Sequence, residues 1–310
     1  MRPVPWALSD IPDLSGRVAV VTGANRGIGH VTARELARRG ARTVLACRDR
    51  ERGAAALERL RAQVPGADAT VLPLDLADLG SVREFPARLP EERVDLLVNN
   101  AGVMALPRRS TADGFEMQFG TNHLGHFALT GVLLPWLLAS AEPRVVTVSS
   151  MLHARGRIDF GDLQGRGDYR PWRAYAQSKL ANLLFSGELQ RRARAAGRPL
   201  RSLAAHPGLT ATGLAAAGPR MAGRRLLARA MTAGMALVGQ SDEQGALPVL
   251  RAATDPDLPG DAYVGPASFM GLRGAPVPGG RSPAAEDEQT AARLWRVCED
   301  LTGVRFDWAG

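Results

Sequence analysis

The sequence has almost no lysine. Its 310 residues include 39 lysines and arginines, and all but one are arginine; the exception is Lys179. Cysteine is nearly as scarce. Cys47 and Cys298 stand far apart and match no metal-ligand or dithiol spacing, which argues against a disulfide framework or a zinc module and fits a reduced, cytoplasmic protein. Long apolar runs are missing too. The most apolar stretches, around 129–141 and 230–238, are broken by Gly or Pro and are too short to span a bilayer. The opening residues Met1 to Trp6 hold no run of signal-peptide length, so a soluble protein with no membrane span is expected. The five histidines (His30, His123, His126, His153 and His206) offer no metal set, and the pair His123 and His126 is assigned to helix packing.

What is present points to a globular α/β chain. Hydrophobic residues make up 45%, enough for a substantial core. The net charge of +8 admits nucleic-acid binding. The arginines, however, are spread along the chain and interleaved with Glu and Asp at helix-face spacing, so a solvated basic surface is the better reading and no nucleic-acid partner is expected.

Short runs rich in Val, Leu and Ala occur at 17–22, 42–47, 68–74, 94–99 and 144–149, as expected for strands covered on both faces. Helical spacing separates them at 27–39 and 50–63, and a longer helix is predicted over 174–196. A sixth run at 200–205 and a short one around 262–264 complete the series. The alternation predicts a single-domain, doubly wound Rossmann fold of the α/β class with a mostly seven-stranded parallel sheet. That one domain spans 1–310, with a core at 15–208, a substrate-binding lid region at 209–245 and a C-terminal strand and helix in 246–310.

The first strand runs into Thr22-Gly23-Ala24-Asn25-Arg26-Gly27-Ile28-Gly29 and then a helix. Gly23, Gly27 and Gly29 permit a tight turn and close approach of a pyrophosphate, and the helix N-terminus attracts the phosphates; Asn25, Arg26 and Ile28 belong to the same loop. The acidic residue that grips a ribose 2′-hydroxyl in NAD sites is replaced by Cys47. Arg48 follows it, and with Arg26 it favours the 2′-phosphate of NADP, although Asp49 is positioned either to pair with Arg48 or to face solvent. Asp75 and Leu76 follow the third strand, where the carboxylate would accept the adenine amino group or else cap a helix. Asn99, Ala101 and Gly102 close the fourth strand at the adenosine side.

The glycine run, Asn99 to Gly102, Ser150, Tyr175-Ala176-Gln177-Ser178-Lys179 and His206-Pro207-Gly208 together resemble the short-chain dehydrogenase/reductase superfamily. A narrower likeness is to its retinol dehydrogenase and WW-domain oxidoreductase branch. It rests on Ala46 to Asp49, Asn122 to Phe127, Asp162 to Gln164, Ser178 to Asn182, and Leu294-Trp295 followed by Leu301-Thr302-Gly303. The resemblance implies an NADP(H)-dependent oxidoreductase acting on a lipophilic carbonyl or alcohol, with a homodimer or homotetramer as the family expectation. In it Tyr175 is the acid/base, Lys179 its tuner and a holder of the nicotinamide ribose, Ser150 (rather than Ser149) the group on the substrate oxygen, and Asn122 the support of a proton relay. Pro207, Gly208, Thr210 and Thr212 would lie against the nicotinamide. A non-redox epimerase or cyclase on the same scaffold, or a dinucleotide-sensing binding protein, are the alternatives.

Residue chemistry points to the same pair. Tyrosine ionises near pH 10, too high for efficient proton exchange at neutrality, and a cation one helical turn away would lower it. Tyr175 and Lys179 stand at that spacing. Where arginine has replaced lysine almost everywhere, a surviving lysine marks a place where a fork-shaped guanidinium will not serve. Chance would put it at that place about one time in forty, by counting basic positions.

Overall fold

The computed structural model describes residues 5–210, 239–268 and 271–309. Eight strands form one sheet in the order β3-β2-β1-β4-β5-β6-β7-β8. The strands are β1 (Val18–Thr22), β2 (Arg42–Cys47), β3 (Ala69–Pro73), β4 (Leu96–Asn99), β5 (Arg144–Val148), β6 (Arg201–Ala205), β7 (Tyr263–Ser268) and β8 (Arg273–Pro278). The first seven run parallel, and β8 returns antiparallel to β7. The expected doubly wound fold is therefore present, with eight strands rather than seven. The extra strand reads Arg-Gly-Ala-Pro-Val-Pro, and prolines are poor ladder donors; they are tolerated here because β8 is the edge of the sheet.

Helices cover both faces. On one side lie α1 (Gly27–Arg38), α2 (Arg50–Gln63) and α8 (Asp242–Thr254), packed on a core that includes Val21, Leu36, Leu60 and Val249. On the other lie α3 (Leu79–Glu84), the helical run through α4 (Met117–Phe119), α5 (Gly125–Val132) and α6 (Leu134–Leu138), the long α7 (Pro171–Ala195), and, at the C-terminal end, the short α9 (Pro283–Glu286) and α10 (Glu288–Thr302). Strands buried on both faces explain the unbroken apolar runs: every residue of β1, β4 and β5 is buried. The chain reverses its sheet order between β1 and β4, and ligands in such sheets bind beyond the carboxyl ends of the strands at that switch point. Thr22, Asn99 and Val148 end the three strands that border it.

Helix α10 seals the second core beneath α5 and α7. Trp295 packs 5.0 Å from the Phe127 ring, 5.8 Å from Phe185 and 4.4 Å from Phe306, between centroids. Its indole nitrogen has no hydrogen-bond partner among the described residues, so its contribution is the packing of its ring, including the Arg192 guanidinium 4.5 Å over it. Trp295→Ala should therefore destabilise the fold by about 3–5 kcal/mol in urea unfolding, and Trp295→Phe by clearly less. Equal losses from the two variants would show that ring packing is not what Trp295 contributes.

Candidate active site

The glycine loop is built by close contacts. Gly23 and Gly27 adopt positive φ, +66° and +61°, which favours glycine. A Cβ on Gly23 would lie 2.9 Å from the Ala101 Cα, so β1 and the segment after β4 can meet only because this position is glycine. Thr22 joins the same strands: its hydroxyl accepts from the backbone N–H of Asn100 and of Ala101, both at 2.9 Å. The sulfur of buried Cys47 accepts from the backbone of Ala24 and Asn25, and burial pushes its thiol up to about 11. Arg59 donates to the Asn25 carbonyl at 2.9 Å. Neither Cys47 nor Arg59 was anticipated as part of the loop's support.

The start of α1, like that of α7, has no side-chain cap, and three other helices show what such a cap looks like. Asp49 caps α2, Ser241 caps α8 and Asp287 caps α10, whereas Arg26 gives α1 no side-chain cap. The first-turn amides at Gly27, Ile28 and Gly29 thus lack a protein acceptor from that position, which fits a dinucleotide pyrophosphate. Asp49 accepts from Arg52 N at 3.0 Å and pairs with the Arg52 side chain at 3.2 Å. Arg48 and Arg26 are exposed, and Arg48 makes no ion pair among the described residues.

Tyr175 and Lys179 lie on one face of α7 and are 5% and 4% exposed. The Lys179 ammonium donates to the Val148 carbonyl at 2.9 Å and sits 5.8 Å from the centre of the Tyr175 ring. Burial pulls Lys179 down to about 8. Tyr175 differs from the sequence expectation of a lowered value. Burial raises it to about 12, opposed by a hydrogen bond from Ser150. Desolvation of the phenolate outweighs a cation that is turned toward the end of β5.

The two serines after β5 separate cleanly. Ser149 donates to the Lys179 carbonyl at 2.8 Å, so its hydroxyl is committed to the backbone of α7. Ser150 hydrogen-bonds Tyr175 and accepts from Leu152 N at 3.2 Å, capping a short 3-10 helix, Met151–Arg155.

Asn122 sits in a π-helical turn, Gly120–Leu124, between α4 and α5. Its amide takes both backbone groups of Val103, accepting from N at 2.8 Å and donating to O at 2.9 Å, and also donates to Ser178 Oγ at 2.9 Å. A Cβ on Gly102 would lie 3.3 Å from Asn122 Oδ1 and 3.7 Å from Lys179 Nζ, which places all three together. His126 does more than pack. Its Nδ1 donates to the Asn122 carbonyl and its Nε2 meets the Thr22 hydroxyl, both at 2.9 Å. Burial lowers His126 to about 3, which keeps it neutral for that link. The i, i+4 spacing of Asn122 and His126 was the available signal.

Several residues expected at the cofactor commit their side chains to the core or to local hydrogen bonds. The Leu76 side chain is in the core, and its carbonyl abuts Gly125. The Asn99 side chain is fully buried and donates to Thr130 at 3.0 Å, on the side of α5. Both residues can offer a ligand only their backbone, because the alternation of the chain turns their side chains inward. Asp75 accepts from Ala77 N at 3.0 Å in a tight turn, and Asp78, not Asp75, caps α3. Thr210 is buried with its hydroxyl donating to the Pro207 carbonyl at 2.9 Å, beside Gly208 at φ +67°. Thr212 and the rest of 211–238, the greater part of the expected 209–245 lid region, lie outside the described residues.

The family model described as short chain dehydrogenase matches residues 17–221. Retinol dehydrogenase 13 of Homo sapiens is 44% identical over 297 residues, covering 94% of this chain and 86% of the relative. Polyprenol dehydrogenase of Mus musculus is 45% identical over 303 residues, covering 95% and 86%. A crystal structure of an uncharacterized protein from Mycobacterium paratuberculosis is 48% identical, with a TM-score of 0.81, covering 98% of this chain and 100% of that one. A short chain dehydrogenase from Shigella flexneri complexed with NADP is 25% identical, with a TM-score of 0.58, covering 81% and 97%. The chain belongs to the short chain dehydrogenase family, oxidoreductases that use a nicotinamide cofactor, and within it to the retinol dehydrogenase-like branch.

Proposed function

We propose that the protein is an NADP(H)-dependent oxidoreductase that interconverts a lipophilic carbonyl compound and its alcohol, with Tyr175 as the acid/base. The observation that carries this reading is the convergence of the Ser150 hydroxyl on the Tyr175 phenol, one helical turn from the buried ammonium of Lys179. The bound nicotinamide would supply or accept the hydride. Gly23, Asn25, Arg26, Gly27, Ile28, Gly29, Ala101, Gly102, Pro207 and Gly208 would hold the dinucleotide, chiefly through backbone groups.

In the reductive direction, Ser150 orients the carbonyl oxygen and Tyr175 gives it a proton as negative charge develops there. A phenol raised to about 12 is protonated at neutral pH and ready to donate. Lys179, largely charged below its lowered value of about 8, then favours the phenolate left behind. Asn122 holds the Val103 backbone and Ser178 against α7, so the lysine and its surroundings keep their places.

NADP is favoured by what borders β2. Cys47 stands where a ribose-binding carboxylate would stand, Asp49 is committed to Arg52, and Arg48 is left exposed for a 2′-phosphate. The Shigella flexneri relative bound to NADP supports the same choice. A lipophilic substrate is favoured by Trp172, which is 49% exposed and stands edge-on to Tyr175 at 6.4 Å between ring centroids. The retinol and polyprenol dehydrogenases among the relatives support an extended apolar molecule.

Oxidation of NADPH and NADH should be followed by absorbance with a panel of apolar aldehydes and ketones, retinal among them. Tyr175→Phe should lower kcat by roughly 100- to 10,000-fold with NADPH binding retained. Tight NADPH binding without turnover of any panel member would instead favour an epimerase, a cyclase or a sensor. Arg48→Asp should move preference toward NADH, because it replaces a phosphate-binding cation with a carboxylate. An unchanged NADPH-to-NADH ratio would contradict the assignment of Arg48 to the 2′-phosphate.

A further inference from the structure

His153 is 6% exposed, and the catalytic scheme above gives it no role. Its ring nevertheless joins the end of β5 to the C-terminal segment. Nδ1 lies 2.7 Å from the Ser150 carbonyl, which also accepts from the His153 backbone N–H at 3.0 Å. A carbonyl can only accept, so Nδ1 carries the hydrogen. Nε2 is then a lone pair, and it accepts from the backbone N–H of Ser282 at 3.3 Å, just before α9. Both nitrogens are used by one neutral tautomer; a second ring proton would face the Ser282 N–H.

The surroundings keep the ring neutral. Burial lowers the ionisation of His153, and the Arg281 charge lowers it further. Tyr263 stands edge-on to it at 5.5 Å, and His206, itself neutral with a value pulled down to about 4 by burial, lies 5.2 Å from Tyr263 on its other side. The Tyr263 hydroxyl lies 3.5 Å from His153 Nδ1, and Ser149 commits its own hydroxyl to the Lys179 carbonyl. Ser150 is thus braced through His153 from β7, by Tyr263, and from the segment beyond it, by Ser282.

We propose that His153 is a positioning residue for the reaction, holding the Ser150 backbone so that its hydroxyl stays aligned on Tyr175. The inference rests on the reading of Ser150 as the group that orients the substrate oxygen. A misplacement of about 1 Å at such a group can cost about a hundredfold in rate. The Ser150 bond, not the Ser282 bond, is the one that matters for catalysis.

Two substitutions separate those bonds. His153→Asn puts an amide nitrogen near the place of Nδ1 and keeps the donor to Ser150, while giving up Ser282. His153→Gln reaches the place of Nε2 and keeps the acceptor for Ser282, while giving up Ser150. NADPH-dependent reduction of retinal should keep its kcat within about twofold in His153→Asn and fall about tenfold or more in His153→Gln, with NADPH affinity unchanged in both. Crystal structures of the two variants give a substrate-free measure: Ser150 Oγ should remain within hydrogen-bond distance of the Tyr175 hydroxyl in the first and leave it in the second. Equal behaviour of the two variants, or loss in His153→Asn alone, would overturn the inference. Ser150→Ala separates this from failure of the underlying reading. An active Ser150→Ala enzyme refutes the role of Ser150 itself, whereas an inactive one beside a fully active His153→Gln refutes only that of His153.

Discussion

A charged amine held out of water is the constraint around which this site is organised. Lys179 is nearly inaccessible, and the one hydrogen bond its ammonium makes among the described residues is to the carbonyl that ends β5. Removing an ammonium from water is costly, which is why its ionisation is pulled down to about 8. Between that value and the ordinary 10.5 the unfolded chain binds more protons than the folded one, so this residue makes the fold more stable as pH rises through that window. At neutral pH it works against stability. A group kept under those terms is kept for its chemistry.

The surrounding structure reads as a set of ties that leave the ammonium and the phenol nowhere else to go. Ser149 binds the lysine's own carbonyl, Asn122 binds the Val103 backbone and Ser178, and His126 carries the π turn across to Thr22 at the mouth of the glycine loop. Glycines at 23 and 102 let the cofactor side of the sheet approach these groups closely. Neutral, buried histidines with a fixed tautomer recur in this network, at His126 and His153. An imidazole suits such a tie because it offers a donor and an acceptor at opposite sides of a rigid ring.

The strand runs and the helix at 50–63 were legible because strands covered on both faces must be apolar throughout and α2 keeps its polar face in water. Tyr175, Lys179 and Ser150 were legible as residue types at fixed places relative to strands and helices. What failed followed physical rules that a one-dimensional pattern does not carry. β8 was hidden by its prolines, which only an edge position tolerates. Leu76 and Asn99 turn their side chains into the core, so only their backbone is available to a dinucleotide, a distinction that spacing after a strand does not carry. The direction of the Tyr175 shift was misjudged because spacing along a helix reports proximity but not burial, and burial dominates here. His126 and His153 were passed over because their partners are backbone carbonyls, which leave no trace in composition.

Because Lys179 is the only lysine in the sequence, labelling lysine at Cε with a magnetic isotope yields a single side-chain resonance. Its pH titration by NMR, with and without NADPH, tests the central claim most directly. The account predicts a midpoint near 8 in the free protein and a displaced resonance when NADPH is added. A midpoint at the ordinary 10.5 with no response to NADPH would contradict it.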